Sequence, residues 1–409
     1  MTVKQLKGKG LHVTLVQAAE TAELSWYICE VMTGLKTYEQ CATSVPMPDA
    51  DEIVYGVAEG VCDGKVAVKT PEGTVVELNF DYLVCASGII MPTFTPAPGQ
   101  DPSERRKEIE DLAKVIRDPS KHVVVAGGGA VGVEIAGDIL DGGNDNITLL
   151  ISGDRLLPDQ DEKYSKKALA QLTSRGVKVL FNTRCTDKLE TTIAAPGGPL
   201  LISISGGKRL ECDVYLPAYT RGPRSAWLAQ PIGDSKLPEG LIDEKGHVAV
   251  DEYLASKVYP KLYVIGACND LAEPGLSSNF DTQSQCIAKN IIKEKSAKYG
   301  GGMLRAPMVQ LVGHKSFGFF VPESLNLPGC VSWFMCTACG LPINLLCPCV
   351  WCGILCGPCT PMTCGYCCSD AEGKGVAVTL AGAGKMGLAA DMAGYVGLSK
   401  VAPEEMKRG

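Results

Sequence analysis

At 409 residues the chain is long enough to bury two or three domain cores, and its composition is ordinary for a globular protein apart from 46 glycines and 19 cysteines. The balance is mildly acidic, net −7 at pH 7, with no basic block, which argues against a nucleic-acid partner. The lysines of the first ten residues have no apolar core behind them, so they do not read as a secretory leader, and the expectation is a cytoplasmic, reducing setting.

In chain order, Leu11 to Val16 reads as an early strand. Glu52 to Val57, Lys65 to Lys69 and Val75 to Leu78 read as a small antiparallel meander, with turns at Asp63-Gly64 and Glu72-Gly73. Asp81-Tyr-Leu-Val-Cys-Ala-Ser-Gly-Ile89 follows as a buried strand ending in small residues. A Pro-rich loop from Pro92 to Pro102 then leads into an amphipathic helix, Ser103 to Arg117.

The most informative stretch comes next. His122 to Ala126 is a short apolar, β-branched run that reads as a buried strand. Gly127, Gly129 and Gly132 then spell Gly-x-Gly-x-x-Gly, with Gly128 inside the loop. Val131 to Leu140 continues as a helix, and Ile147 to Ile151 is a second strand. That strand–loop–helix–strand context is what lifts the glycine spacing above chance. In such a unit Gly127 permits the tight turn, Gly129 lets a pyrophosphate approach the backbone, and Gly132 lets helix pack on strand. The helix N-terminus supplies N–H groups and partial positive charge. An acidic residue expected at the end of the second strand is replaced by Ile151, followed by Ser152, Asp154 and Arg155. Ser152 and Arg155 suit a 2′-phosphate and Asp154 a ribose, so the expectation stays at NAD(P)H.

Beyond it, Glu162 to Arg175 reads as a helix and Val177 to Phe181 as a strand. Leu200 to Ser205 with Lys208 to Cys212 suggest a second meander, and Asp213 to Tyr219 closes the unit. His247 to Asp251, Lys261 to Asp270 and a helix from Thr282 to Lys293 follow. Asp281 is placed at its start, either as a plain N-cap or where backbone N–H groups can stabilise negative charge.

The order of these elements resembles the two-dinucleotide-binding-domain flavoproteins. The nearest likeness is to the apoptosis-inducing-factor-like NAD(P)H oxidoreductases, including the mitochondrion-associated-2 and ferroptosis-suppressor branch. The residues that carry it are Val124 to Ala136, Asp81 to Gly88 and Leu262-Tyr-Val-Ile-Gly266. The resemblance implies an α/β fold with two Rossmann-like domains, an NAD(P)H domain (119–222) inserted in a partial FAD domain (1–118 and 223–326), and a Cys-rich extension (327–409). It implies hydride transfer from NAD(P)H to FAD and on to a small acceptor such as a quinone. It places Glu134 near the nicotinamide, a position that a solvated first-turn glutamate fits equally well. It places Val54, Ser87, Gly88, Gly266 and Gln283 around the flavin, beside the nucleotide loop of Gly127, Gly128, Gly129, Gly132 and Ser152.

Several positions depart from the family pattern. The first Gly-rich loop is not in this sequence, Gln17 stands where an acid is expected, Ala267 follows Gly266 in place of an aspartate, and the second Thr-Gly strand end is lost around Ala218-Tyr-Thr220. Two readings stay open: a truncated working flavoprotein, or a degenerate relative that binds NAD(P)H without catalysis.

Eight cysteines are scattered through residues 1–300 and read as small buried apolar side chains, so no dithiol centre is expected from their spacing. Eleven crowd into 330–368, within an uncharged run from Gly329 to Ser369. They include four Cys-x-x-Cys pairs: Cys336/Cys339, Cys349/Cys352, Cys356/Cys359 and Cys364/Cys367. Structural zinc, contact with a membrane surface, and a redox centre at Cys356-Gly-Pro-Cys359 are the three readings. Membrane association is the preferred one, and no metal ligands are assigned.

Overall fold

In the computed structural model, residues 2–19, 21–23, 28–44, 50–160, 162–234, 238–273 and 277–301 are described, with backbone alone at 309–311 and 316–318. The Cys-x-x-Cys segment lies outside the described residues.

The architecture is α/β. Its largest sheet is built on Val123–Ala126, whose four residues are all buried. Strand Ile147–Leu150 pairs with it in parallel on one side and Val214–Pro217 on the other. Lys178–Leu180 extends the sheet in parallel, and Thr192–Ile193 closes the other edge antiparallel. Period-two alternation sends Val123 and Val125 to one face and Val124 and Ala126 to the other. The first face packs on helix Ala130–Asp141 through Val133, Ile135 and Ile139, and on helix Pro102–Ile116 through Ile109, Leu112 and Ile116. The second face is covered by the hairpin Leu200–Ile204/Lys208–Cys212 through Ile202, Ile204 and Cys212. Cover on both faces explains why the strand reads as a continuous apolar run. Helix Pro102–Ile116 starts where the sequence dictates: Asp101 accepts from Ser103 N at 2.8 Å and Glu104 N at 3.2 Å, and Pro102 opens the first turn.

The rest of the chain forms a second core around the parallel pair Leu83–Cys85 and Leu262–Val264, backed by Cys286, Ile287 and Ile291 of helix Ser277–Ile292. A meander of Val57–Cys62, Lys65–Lys69 and Val75–Asn79 lies beside it.

Two expectations are corrected. Glu52–Tyr55 is not part of the meander; it pairs in parallel with Thr14–Gln17, and the meander starts at Val57. The chain changes sheets at Gly56, where a Cβ would stand 2.6 Å from the Lys69 carbonyl oxygen. Helix Ser277–Ile292 begins before Thr282, so Asp281 is inside it and no N-cap; its Oδ2 accepts from Gln285 Nε2 at 2.8 Å. His247 to Asp251 makes isolated bridges, Val248 to Asn269 and Val250 to Ser256.

Helix Ile28–Thr33, unforeseen in the sequence, packs with the nucleotide helix in the main core through Ile28, Val31 and Met32. It brings Glu30 and Cys29 to Glu134 and Asp138. Burial, then the charges of Glu30, Glu134 and Asp141, push the Asp138 carboxyl well above its usual range. A raised folded pKa means that Asp138 is tolerated while protonated, and stability is lost as pH rises through that value. Asp138→Asn is therefore expected to melt about 2–4 °C above the parent at pH 8. The difference should shrink toward pH ~4, where unfolded aspartate also protonates. Thermal melts at both pH values check this; a constant difference would remove the titration argument.

Candidate dinucleotide sites

The loop after Val123–Ala126 tests the role of each glycine. Gly127 has φ +140°, and a Cβ there would sit 2.5 Å from the Ala218 carbonyl oxygen. A Cβ on Gly132 would stand 1.9 Å from the Gly127 carbonyl oxygen, so helix and loop touch backbone to backbone. A Cβ on Gly128 would meet Ile151 Cγ2 at 2.8 Å. Gly129 differs: nothing lies within 4 Å of an added Cβ. It is also the N-cap of helix Ala130–Asp141, whose first-turn amides have no helical carbonyl to reach. Three glycines are thus fixed by packing, and the fourth opens to free space at a helix start. That geometry leaves room for a phosphate against the helix-start amides.

Ile151 is buried at the end of the neighbouring strand, and Ser152, Gly153 and Asp154 follow it exposed. Leu157 N donates to Gly128 O at 2.7 Å, which ties the Ser152–Arg155 turn to the glycine loop. Arg155 reaches the Pro158 carbonyl. Glu134 lies on the second turn of the nucleotide helix, in the acidic group with Glu30 and Asp138.

A second group forms at the ends of Leu83–Cys85 and Leu262–Val264. Ser87 Oγ donates to the Arg224 carbonyl at 2.6 Å and accepts from Trp227 Nε1 at 3.4 Å. Arg224 N donates to Gly88 O at 2.8 Å, and Cys268 Sγ donates to Gly88 O at 3.3 Å. Ser87, Gly88 and the turn Gly266–Cys268 are therefore one cluster. Gly88 has φ +77° and open space beyond its Cα; Gly266 has φ +69° and faces the Phe280 ring. Gly266 N donates to Gln283 Oε1 at 2.8 Å, and Gln283 Nε2 donates to Glu273 Oε2 at 3.1 Å. Val54 is placed elsewhere, in the strand pair opposite Val16. Gln17 ends that pair and Ala267 sits in the Gly266–Cys268 turn.

The two groups are joined. The segment after Cys85 and the segment after Pro217 run antiparallel, with Ile90 N donating to Gly222 O and Arg221 N to Ile90 O, each at 2.8 Å. Arg224 locks this crossing, donating through Nε to Ile89 O at 2.9 Å and through Nη2 to Thr95 Oγ1 at 2.9 Å. Burial and the nearby Arg105 lower its pKa. Sequence reasoning missed Arg224 and Trp227, because neither stands in a local motif.

The family model for pyridine nucleotide-disulphide oxidoreductases matches residues 3–290. The chain belongs to this family. FAD and NAD(P)H are the cofactors of the pyridine nucleotide-disulphide oxidoreductases, and their members transfer electrons between a nicotinamide and an acceptor. Oxidoreductase ptaL of Pestalotiopsis fici is 30% identical over 259 residues, 61% of this chain and 64% of the relative. Ferroptosis suppressor protein 1 of Taeniopygia guttata is 24% identical over 255 residues, 61% of this chain and 65% of the relative. The chain thus spans less than two thirds of the length of either relative. The water-forming NADH oxidase of Lactobacillus brevis, solved with NADH, superposes with TM-score 0.60 at 19% identity, covering 76% of this chain and 70% of that one. The NAD-dependent persulfide reductase of A. fulgidus gives TM-score 0.57 at 20% identity over 76% of this chain and 59% of that one. These likenesses show a Rossmann-type oxidoreductase fold. The open Gly129 cradle fits NAD(P)H, and by the same measure Gly88, open and at a strand end, fits the approach of a second dinucleotide.

Among the described residues no helix is long and apolar enough to cross a membrane. Among them, no three His, Cys, Asp or Glu side chains gather as a metal site.

Proposed function

We propose that the chain is an FAD-dependent NAD(P)H oxidoreductase with a quinone-class acceptor. The observation that carries this is the pairing of an open cradle at Gly129 with the Ser87–Gly88–Gly266 cluster, joined through the crossing at Ile90 and Gly222. In this reading residues 119–222 bind NAD(P)H through Gly127, Gly128, Gly129, Gly132 and Ser152, and Glu134 borders the nicotinamide. Residues 1–118 and 223–326 form the flavin domain, with Ser87, Gly88, Gly266 and Gln283 as its lining, while Val54, in the strand pair with Thr14–Gln17, lies apart from that cluster. FAD held there would supply the two-electron redox chemistry that links the nicotinamide to the acceptor. The chain's own residues orient the two dinucleotides: the helix amides after Gly129 hold phosphate charge, and Arg224 fixes the crossing between sites. The family match and the name of oxidoreductase ptaL support the class of reaction.

The test is direct. The purified chain is mixed with FAD, desalted and read by visible absorption before and after NAD(P)H, with a soluble quinone as acceptor. Retained flavin that bleaches with NAD(P)H and recovers with quinone is the expected result. NAD(P)H binding with neither flavin retention nor turnover would instead favour the non-catalytic NAD(P)H-binding protein, which Gln17 and Ala267 support. The uncharged Gly329–Ser369 run supports a contact with a membrane surface through residues 330–368. The full chain should float with phosphatidylcholine vesicles, and a chain ending at residue 328 should stay at the bottom. Equal behaviour would remove the tether.

A further inference from the structure

Two cysteines far apart in sequence meet at the ends of neighbouring parallel strands. Cys85 closes Leu83–Cys85, and Cys268 closes the turn after Leu262–Val264. Cys85 Sγ is 3.4 Å and Cys268 Sγ 3.5 Å from the same oxygen, Ser87 Oγ. Both sulfurs therefore flank one hydroxyl, which also contacts the Arg224 carbonyl at 2.6 Å. Both are free thiols, 1% and 0% exposed, while Ser87 itself is exposed and stands between them and solvent.

We propose that Cys85 and Cys268 are a reversible dithiol–disulfide pair, closed by hydroperoxides, that staples the Ser87–Gly88 loop to the Gly266–Cys268 turn. Cys268 is the attacking sulfur. Its thiolate takes the terminal oxygen of hydrogen peroxide, the O–O bond breaks, and the released hydroxide leaves as water after taking up a proton. Cys85 sulfur then attacks the sulfenic sulfur, the S–S bond forms, the S–O bond breaks, and a second water leaves. Two thiols and one peroxide give one disulfide and two waters. A dithiol reductant reverses the step by thiol–disulfide exchange.

The division of roles follows from the environment. The neighbouring Cys85 thiol holds Cys268 down to about 7 against its burial, helped by Ser87 and by the backbone at Gly88 and Arg224. Cys268 and burial in turn push Cys85 up. Simple apolar burial does the opposite of what Cys268 shows: it raises the thiols of Cys29 and Cys212. A low thiol pKa gives the thiolate that peroxide needs, and a protonated neighbour waits to resolve it. The cluster holds both sulfurs against one hydroxyl, so closure to an S–S bond of about 2.05 Å requires Ser87 Oγ to move aside. The proposal stands on this cluster alone and needs neither flavin nor NAD(P)H.

The full chain is treated with hydrogen peroxide, its remaining thiols are blocked with N-ethylmaleimide, and it is digested with trypsin. The expected product is a dithiothreitol-sensitive cross-link between peptides 70–105 and 262–289. Fragmentation must place the bond on Cys268, because Cys286 shares the second peptide. In Cys85→Ser, Cys268 should stop as a sulfenic acid captured by dimedone. In Cys268→Ser, modification of Cys85 should fall at least tenfold. Separately alkylated Cys85 and Cys268 peptides after peroxide, or a bond to Cys286, would overturn the proposal, and the parent protein alone decides it if a variant fails to fold. Either outcome leaves the oxidoreductase reading to its own flavin and turnover test.

Discussion

Gly129→Val is expected to cut NAD(P)H affinity at least tenfold while the protein still folds. An added Cβ at Gly129 meets nothing within 4 Å, and its φ of −77° and ψ of −174° suit any residue. The fold loses about 1 kcal/mol at most, the cost of a poor N-cap residue. The ligand loses more. Charge-assisted hydrogen bonds from helix-start amides to phosphate are worth about 1.5–3 kcal/mol, and valine methyls in the approach path hold the phosphate away from them. Each ~1.4 kcal/mol is tenfold in affinity. Gly132→Ala is the counterpart. Its methyl would fall 1.9 Å from the Gly127 carbonyl oxygen, so loop and helix must part, at about 3 kcal/mol. Titration of NAD(P)H fluorescence alongside thermal melts separates the two. Gly129→Val should lose binding and keep its melt, and Gly132→Ala should lose both. Unchanged affinity in Gly129→Val would place the pyrophosphate somewhere other than this loop.

The nucleotide unit was legible because its signals are local. A β-branched run, a fixed glycine spacing and an amphipathic helix occupy about 30 consecutive residues, and each glycine role follows from sterics within that span. Helix Pro102–Ile116 was legible for the same reason, from its apolar stripe, although Pro102 reads in the sequence as the end of a loop and is the first helical residue. What failed was long-range. Glu52–Tyr55 looks like a meander strand because its alternation carries no information about its partner, and only Gly56 hints at the change of sheet. Helix Ile28–Thr33 is too short and too mixed in composition to show a period. Cys85 and Cys268 read as two buried apolar residues, since nothing in either neighbourhood reports the other. The same holds for Arg224, which acts between segments that meet only in the fold.

Arg105→Met should be among the most destabilising single changes, by about 3–5 kcal/mol, and the reason is another pairing invisible in sequence. Arg105 is 3% exposed and Glu23 5% exposed as side chains, and they face each other at 3.0 Å. Arg105 donates to both Glu23 oxygens, and its Nη2 also donates to Thr93 O at 2.9 Å. Tyr38 OH donates to Glu23 at 2.6 Å. Burial and that bond push the tyrosine pKa far up, so Tyr38 remains a donor across the ordinary pH range. Strand Thr21–Glu23, helix Tyr38–Cys41, the segment at Thr93 and helix Pro102–Ile116 are thus tied at one point. Removing the cation leaves a buried carboxylate with Tyr38 as its one remaining hydrogen-bond donor among the described residues. Removing both charges is less severe, because an apolar pair of similar volume escapes the desolvation cost that the ions bear. Arg105→Met combined with Glu23→Leu should therefore recover part of the loss, less the hydrogen bonds to Thr93 and Tyr38. Urea melts of the parent, both single variants and the double variant give the coupling energy directly. Additive losses would mean that the two charges do not sense each other in solution. A double variant more stable than Arg105→Met would show that the cost lies in the orphaned carboxylate rather than in the lost contact.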